Sequence, residues 1–109
     1  MEQLSIQEKI GANYVLLELT GAINSYTFSE MQSKVYQYIQ DSNLVLDMDL
    51  VTSIDSSGLG VLMGAHNDEE IFGTKLYLMR PSNAVINAIQ STGFLDEFRR
   101  IYSVTEVEA

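Results

Sequence analysis

The stretch "LVLDMDLVTSIDSSGLGVLMG", Leu44 to Gly64, joins two different apolar patterns through a short polar segment. Its first part is a short apolar run bounded by polar and acidic residues, which is typical of a buried strand. Its last part continues with helical character from Ser57 to about Phe72. The stretch therefore predicts a strand that passes directly into a helix, with Asp55, Ser56 and Ser57 at the junction.

The bulk composition predicts one folded domain. The 109 residues include 46% hydrophobic residues, enough for one core without cross-links, and no cysteine for a disulfide or a thiolate metal site. The start "MEQLSIQEKI" lacks the pattern of a signal peptide, and no apolar run approaches the roughly 20 residues that span a bilayer. We therefore expect a single domain over residues 1–109, located in the cytoplasm and without a membrane partner.

The charge distribution argues against nucleic acid as a partner. The net charge is −9, and of the six basic residues only Arg99 and Arg100 are adjacent. Binding to a phosphate backbone requires clustered Lys and Arg, because it depends on the release of counterions. A basic patch on another protein suits this charge better.

Strand and helix patterns alternate along the chain. The predicted elements are a hairpin formed by "LSIQEKI" and "YVLLELT", a helix after Thr27, the strand and helix of the quoted stretch, a strand in "KLYLM", a helix opened by Pro81-Ser82 with Val85, Ile86 and Ile89 facing inward, a helical turn in "FLDEF" and a strand in "RIYSV". This order predicts an α/β fold, with a mixed sheet of four to five strands packed against helices.

Several local patterns refine this prediction. Thr27 and Glu30 have the spacing of a capping box, and Glu30 with Lys34 has the spacing of an i,i+4 ion pair. The glycines of "GLGVLMG" miss the dinucleotide-binding spacing by one residue. We interpret Gly58 and Gly60 as allowing a close approach of the helix start to another backbone, and Gly64 as allowing tight packing on the sheet.

The serines lack the partners of a catalytic nucleophile. A serine hydroxyl needs a base within hydrogen-bond reach, and the single histidine, His66, lies ten residues after Ser56. On one helix this separation is about 15 Å along the axis. The strained "GxSxG" turn of serine hydrolases is also missing, so we predict no catalytic residue and interpret His66 as a surface or boundary residue.

"DMDLV", from Asp47 to Val51, resembles the "DxDx[TV]" motif of Mg²⁺-dependent phosphotransferases. That chemistry also needs a downstream lysine and an acidic pair for the metal, whereas Asp68 to Glu70 have the pattern of a solvated helix face. A short motif without its context is weak evidence. We therefore favour a structural role, in which Asp47 and Asp49 close a strand, and we predict neither a metal site nor a cofactor.

Two interpretations of the segment "DSS" remain open from the residues alone. An Asp or Ser at a helix N-cap accepts hydrogen bonds from the free amides of the first turn, which accounts for one of the three. Alternatively, a hydroxyl at a helix N-terminus is well placed to carry a phosphate, because the amide dipoles there favour an anion.

The quoted stretch resembles the central segment of the anti-sigma-factor antagonists, whose fold is called the STAS domain. The family pattern is an apolar strand with an acid, followed by "DS-small-GL/IG" at the start of a helix, and every element is present here. "VLLELTGAIN" and "STGFLDEFRRIY" extend the resemblance over nearly the whole chain. In place of the usual aspartate after the second strand the chain has Asn24, which puts the charge balance near the serines in doubt. The final family helix is expected to be reduced to about one turn in "SVTEVEA".

The resemblance implies a non-enzymatic partner switch. In the family, a partner that is both anti-sigma factor and serine kinase phosphorylates the serine after the aspartate, which is Ser56 here, with Ser57 as a minor alternative. The unmodified protein binds that partner and frees a sigma factor, the phosphoprotein releases it, and a serine phosphatase resets the switch. The kinase supplies ATP and Mg²⁺, so this chain needs no cofactor.

We predict a partner-binding surface at the junction between the strands and the helices. Loops after strands and exposed helix starts converge at one edge of an α/β sheet. The predicted residues are Asn24, Ser25, Tyr26, Thr27, Asp55, Ser56, Ser57, Gly58, Leu59, Met63 and His66. The alternative function is a constitutive STAS scaffold, such as a subunit of a lipid-transport ATPase complex, which docks without phosphorylation.

Overall fold

The computed structural model describes residues 3–107, so the first two residues of "MEQLSIQEKI" and the last two of "SVTEVEA" lie outside it. The five strands form one sheet in the order β1-β2-β3-β4-β5, in which β1 is antiparallel to β2 and the other neighbours are parallel. The elements are β1 (Leu4–Ile10), β2 (Val15–Ile23), α1 (Phe28–Ile39), β3 (Leu44–Ile54), α2 (Ser56–Phe72), β4 (Leu76–Met79), α3 (Asn83–Gln90) and β5 (Arg99–Ile101), with 3₁₀ turns at Leu95–Glu97 and Val104–Glu106. The predicted α/β class, element order and opening hairpin are confirmed.

The three helices pack on one face of the sheet. Successive strand side chains point to opposite faces, so alternate residues of β2 and β3 contribute to the main core. This core contains Leu17, Leu19, Leu44, Leu46 and Met48 from the strands, Met31, Val35 and Ile39 from α1, Val61, Leu62 and Ala65 from α2, and Val85 and Ile89 from α3. Ile86 is half-buried. The inward face predicted for α3 is thus confirmed for Val85 and Ile89.

The opposite face of the sheet carries a smaller apolar cluster, covered in part by the C-terminal segment. Leu16, Val45 and Tyr77 from three adjacent strands pack there with Val107 and the half-buried Val104. The 3₁₀ turn that holds Val104 takes the place of the predicted final helical turn. The sheet is therefore shielded by helices on one side and by this short segment on part of the other.

Strand β3 is longer than predicted, and this corrects the interpretation of the two aspartates. Asp47 and Asp49 do not close the strand, because β3 continues to Ile54. β4 pairs with only the first four residues of β3, Leu44 to Asp47. Beyond that point the start of α3 lies beside β3, where the Ser82 backbone N–H donates to the Met48 carbonyl (3.1 Å). The second half of β3 thus extends past β4 and delivers the following residues next to the end of β2.

The predicted capping box at α1 is absent from the structure. The Thr27 side chain makes no capping hydrogen bond to the helix. Its Oγ1 instead donates to the Ala22 carbonyl (2.9 Å) and accepts from the Asn24 backbone N–H (2.9 Å). A threonine hydroxyl can close a local loop as readily as it can cap a helix, and here it stabilises the turn that leads into α1.

Lys34 contacts a strand residue rather than the predicted Glu30. Its ammonium group donates to the Glu8 carboxylate, which also accepts a 2.6 Å hydrogen bond from the Tyr38 hydroxyl. These hydrogen bonds, the one from Lys34 foremost, lower the pKa of Glu8. The pair links α1 to the edge strand β1 through a long-range charge-assisted hydrogen bond, and the Tyr38 hydroxyl adds a second hydrogen bond to the same carboxylate.

Asp47 and Arg80 form an ion pair at the centre of the sheet. Asp47 is buried, and its Oδ2 accepts a 2.7 Å hydrogen bond from the Arg80 guanidinium, which raises the pKa of Arg80. Arg80 follows β4 with φ of +48°, in the left-handed region that residues other than glycine rarely adopt. The backbone strain at Arg80 therefore accompanies the pairing of a buried carboxylate.

Two substitutions of Arg80 should distinguish the effect of the ion pair on stability from the effect of the backbone strain. Arg80→Ala leaves the buried Asp47 carboxylate without its guanidinium, and we expect it to lower the free energy of unfolding by about 1–3 kcal/mol. Arg80→Gly loses the same contact but relieves the left-handed strain, so it should be the more stable of the two variants by about 1 kcal/mol. Urea unfolding followed by circular dichroism measures both. Equal stability of Arg80→Ala and the parent protein would refute the role of the pair.

Candidate functional site

The ends of β2 and β3 lie side by side and bring two loops together. Ile23 and Ile54 are partners in the parallel register. The Asp55 backbone N–H continues this ladder by donating to the Ile23 carbonyl (3.0 Å). Residues 24–27, which follow β2, and residues 55–57, which follow β3, therefore meet at one edge of the sheet, as the sequence predicted.

Asp55 is the N-cap of α2. Its backbone is extended, and its carboxylate accepts hydrogen bonds from the backbone N–H groups of Ser57 (2.9 Å) and Gly58 (3.4 Å). A side chain that accepts from these amides satisfies donors that have no partner within the helix. Capping thus accounts for Asp55, and it does not require either serine hydroxyl.

The two serines differ in exposure. Ser56 is the first residue of α2 and is exposed, whereas Ser57 is half-buried. An exposed hydroxyl at this position lies where the helix dipole favours negative charge. His66 lies on the same helix ten residues later, about 15 Å along the axis, so it is out of reach as a base for Ser56.

The loop after β2 is held by its own side chains. The Asn24 Oδ1 accepts from the Tyr26 backbone N–H (2.8 Å). Tyr26 itself is 79% exposed, so its ring projects from this edge of the sheet. An aspartate at position 24 could accept the same hydrogen bond. Asn24 therefore keeps the geometry of the loop while removing a negative charge.

The predicted helix face of Leu59, Met63 and His66 is half-buried. Leu59 and Met63 pack against the main core. The His66 ring lies 5.4 Å from that of Phe98, and its Nδ1 is 3.6 Å from a Glu69 carboxylate oxygen. His66 is thus a boundary residue, and the face as a whole offers only part of its surface to a partner.

The glycines of α2 have different environments, which corrects part of the packing interpretation. A Cβ at Gly58 would lie 2.5 Å from Ile23 Cγ2 and 2.7 Å from Ile54 Cγ1, so this position requires glycine. The close contact is with side chains rather than with a backbone. At Gly60 and Gly64 a Cβ would meet nothing within 4 Å. The predicted close approach to another backbone at Gly60 and the predicted tight packing on the sheet at Gly64 are therefore both wrong.

The two aspartates of the phosphotransferase-like motif, Asp47 and Asp49, have different surroundings. Asp47 is paired with Arg80, and Asp49 is exposed on the strand. Within residues 3–107, no three His, Cys, Asp or Glu side chains converge in a way that could hold a metal ion. In the same range, no helix is both long and apolar enough to cross a membrane.

Besides the Lys34–Glu8 contact, the sequence did not predict two further contacts of charged residues. Asp47 and Arg80 are 33 residues apart, and Glu69 and Arg99 are 30 apart. Glu69 accepts from Arg99 (2.7 Å) and from the Leu76 backbone N–H (2.6 Å), which fixes the end of α2 against the sheet. No short-range sequence pattern predicts either contact, because each depends on how the strands and helices are arranged in the fold.

A family model gives the relationship of this chain to known proteins. The STAS domain model matches residues 3–107, nearly the whole sequence. The chain belongs to the STAS domain family.

Three solved structures show the same fold. The anti-sigma factor antagonist SpoIIAA in its unphosphorylated form has 19% identity and a TM-score of 0.77, covering 94% of this chain and 91% of that one. The phosphorylated form of SpoIIAA from Bacillus has 19% identity and a TM-score of 0.72, covering 94% of this chain and 95% of that one. SLC26A9 has 17% identity and a TM-score of 0.70, covering 85% of this chain and 19% of that one. At these identities the likeness establishes the fold.

Alanine substitutions at two glycines should have opposite effects on stability. Gly58→Ala forces α2 away from Ile23 and Ile54, and we expect it to lower the free energy of unfolding by about 1–3 kcal/mol. Gly60→Ala adds a better helix former in open space and should raise it by about 0.5–1 kcal/mol. Thermal and urea unfolding of the two variants provide the comparison. A stabilised Gly58→Ala variant would show that the junction is looser than described.

Proposed function

We propose that this chain is an anti-sigma-factor antagonist whose binding is controlled by phosphorylation of Ser56. The observation that carries the proposal is the exposed Ser56 hydroxyl at the first position of α2, beside a cap that Asp55 already provides. A kinase can reach this hydroxyl without disrupting the helix. The half-buried Ser57 is the less accessible acceptor.

The physical basis of the switch is a local change in charge and size. Phosphorylation adds a charge of about −1.5 to −2 directly after Asp55. The α2 amide dipoles offset part of this charge, so the domain stays folded. A partner that fits closely around Ser56 meets new bulk, and the phosphate repels any acidic groups that the partner places there, so the partner dissociates. Asn24, which carries no charge, leaves the unmodified edge less acidic than the family pattern and favours the bound state.

The proposed partners follow from this scheme. An anti-sigma factor that is also a serine kinase binds the unmodified chain and supplies ATP and Mg²⁺ for its modification, and a serine phosphatase restores the hydroxyl. The chain itself acts as a single cytoplasmic domain without catalytic activity, and neither nucleic acid nor a membrane is a partner. The proposed docking surface includes residues 24–27, Asp55 to Leu59, and the half-buried Met63 and His66.

A constitutive scaffold is the second candidate function. The structural likeness to SLC26A9, of which this chain matches only 19%, supports the idea that the fold also serves as part of a larger protein. The likeness to SpoIIAA, known in unphosphorylated and phosphorylated forms, favours the switch. A scaffold would not need an exposed hydroxyl at the start of α2, so modification of Ser56 distinguishes the two functions.

Phosphorylation should occur at Ser56 and abolish tight binding. We expect the cognate anti-sigma kinase to modify the parent protein and Ser57→Ala, but not Ser56→Ala. Mass spectrometry after incubation with ATP and Mg²⁺ locates the phosphate, and calorimetry measures binding. Ser56→Ala should remain in the binding state, whereas Ser56→Asp should weaken binding less than phosphate does, since it adds only about one charge.

The matched serine variants make this experiment decisive. Phosphate found only on Ser57 would move the site by one residue. A chain that binds the kinase but carries phosphate on neither serine would favour the constitutive scaffold.

The purified chain should show no phosphomonoester hydrolysis with or without Mg²⁺. The Asp47 carboxylate, which would act as the nucleophile, is already bound by the Arg80 guanidinium at 2.7 Å. Release of p-nitrophenol from its phosphate ester provides the assay. Turnover that disappears in Asp47→Asn and persists in the control Asp49→Asn would overturn the non-enzymatic proposal.

A further inference from the structure

A groove runs between α1 and α2 on the outer side of the helical layer. It encloses a cavity of about 270 Å³. Its floor is formed by buried apolar residues of both helices, namely Val35, Ile39, Val61 and Ala65. This volume lies below the roughly 300–1,000 Å³ of pockets that hold small-molecule ligands. A groove of this size can accept a protein side chain.

The groove begins next to Ser56. Both helices start at the edge of the sheet where β2 and β3 end, and they run in the same direction away from it. Gln32 of α1 and Gly60 of α2 each lie four residues after the first residue of their helix, about 6 Å along the axis. The mouth of the groove is thus one helical turn from the Ser56 hydroxyl, and a partner that covers Ser56 reaches it.

The walls of the groove combine open glycines with an exposed aromatic ring. Gly60 and Gly64 form the α2 wall, with nothing within 4 Å of their Cβ positions. Tyr36, which is 55% exposed, stands on the α1 wall. A Cβ atom at either position would meet no neighbour, so packing within this chain does not require glycine at 60 or 64.

The charge of the lining points to a basic partner. Asp68 lies at the far end of the groove, and its lining residues include no Lys or Arg. The nearest lysine on the same helix as Tyr36, Lys34, is bound to Glu8. A second copy of this chain, with a net charge of −9, would be repelled. An apolar side chain flanked by a basic residue matches the groove.

We propose that the α1–α2 groove, lined by Gln32, Tyr36, Gly60, Gly64 and Asp68, is the docking site for an apolar side chain of the anti-sigma kinase, with a basic residue of the kinase beside Asp68. This inference rests on the proposed function and extends its surface. It places the main helical contact on the α1 side of α2. Leu59, Met63 and His66 lie on the other flank, where the first two are committed to the core.

Filling the groove tests this proposal. Gly60→Leu and Gly64→Leu each place a side chain in the cavity, and the control Asn87→Leu adds the same side chain at an exposed position of α3. Calorimetric titration of each full-length variant with the purified cognate anti-sigma kinase measures the Kd. We expect the glycine variants to bind at least about tenfold more weakly, as for a central contact, and the control to bind like the parent. Thermal unfolding confirms that each variant is folded.

The outcomes separate this inference from the proposed function. If the parent binds the kinase and both glycine variants bind equally well, the groove is not the docking site, while the switch at Ser56 stands. If the parent neither binds nor is phosphorylated, the proposed function fails and the groove proposal fails with it. In an NMR titration of the parent, amide shifts at Gln32, Gly60 and Gly64 support the groove. Shifts confined to "STGFLDEFRR" would overturn it.

Discussion

The parallel pairing of Ile23 with Ile54 is the constraint on which the site depends. It places the ends of β2 and β3 side by side, and the hydrogen bond from the Asp55 amide to the Ile23 carbonyl extends the pairing into the loop. Gly58 then rests on both isoleucine side chains, at a distance that no Cβ tolerates. The direction in which α2 leaves the sheet follows from this contact. The position of Ser56, the separation of α1 from α2 and the groove between the helices all follow from that direction.

The three adjacent polar residues at the junction of β3 and α2 have different roles. Asp55 turns its carboxylate inward to the Ser57 and Gly58 amides, whereas Ser56 faces solvent. Because the cap is formed by a residue other than the proposed phosphate acceptor, adding a phosphate does not remove it. This separation explains how one site can change its charge strongly while the helix that carries it persists. A chain that capped α2 with the acceptor serine itself would couple modification to fraying of the helix.

The sequence predicted those parts of the fold that depend on short-range patterns. The two strand-like runs of the opening hairpin, the apolar run of β3 and a polar N-cap at the start of α2 are each visible within a few residues of sequence. The long-range pairs are invisible at that scale. Lys34 pairs with Glu8 rather than with Glu30, and Asp47 pairs with Arg80, because the sheet brings residues that are distant in sequence close together. The glycines show the same limit, since Gly58 and Gly60 look equivalent in sequence and only the position of the sheet makes one of them essential. The same limit applies to the predicted partner surface, because the exposure of a residue shows that it is accessible, whereas the partner determines which accessible residues are contacted.

The net charge of −9 plays a smaller part in the proposed switch than the local charges do. At physiological salt the screening length is about 8 Å, so most of the fifteen acidic residues are not felt at Ser56. The neighbouring Asp55 carboxylate, the α2 amides and the groups that a partner brings within hydrogen-bond distance determine the energy of an added phosphate. The uncharged Asn24 on the adjoining loop therefore matters more than several distant carboxylates. In the proposed switch the overall charge steers a basic partner toward this chain, while the edge formed by β2 and β3 decides whether that partner stays bound.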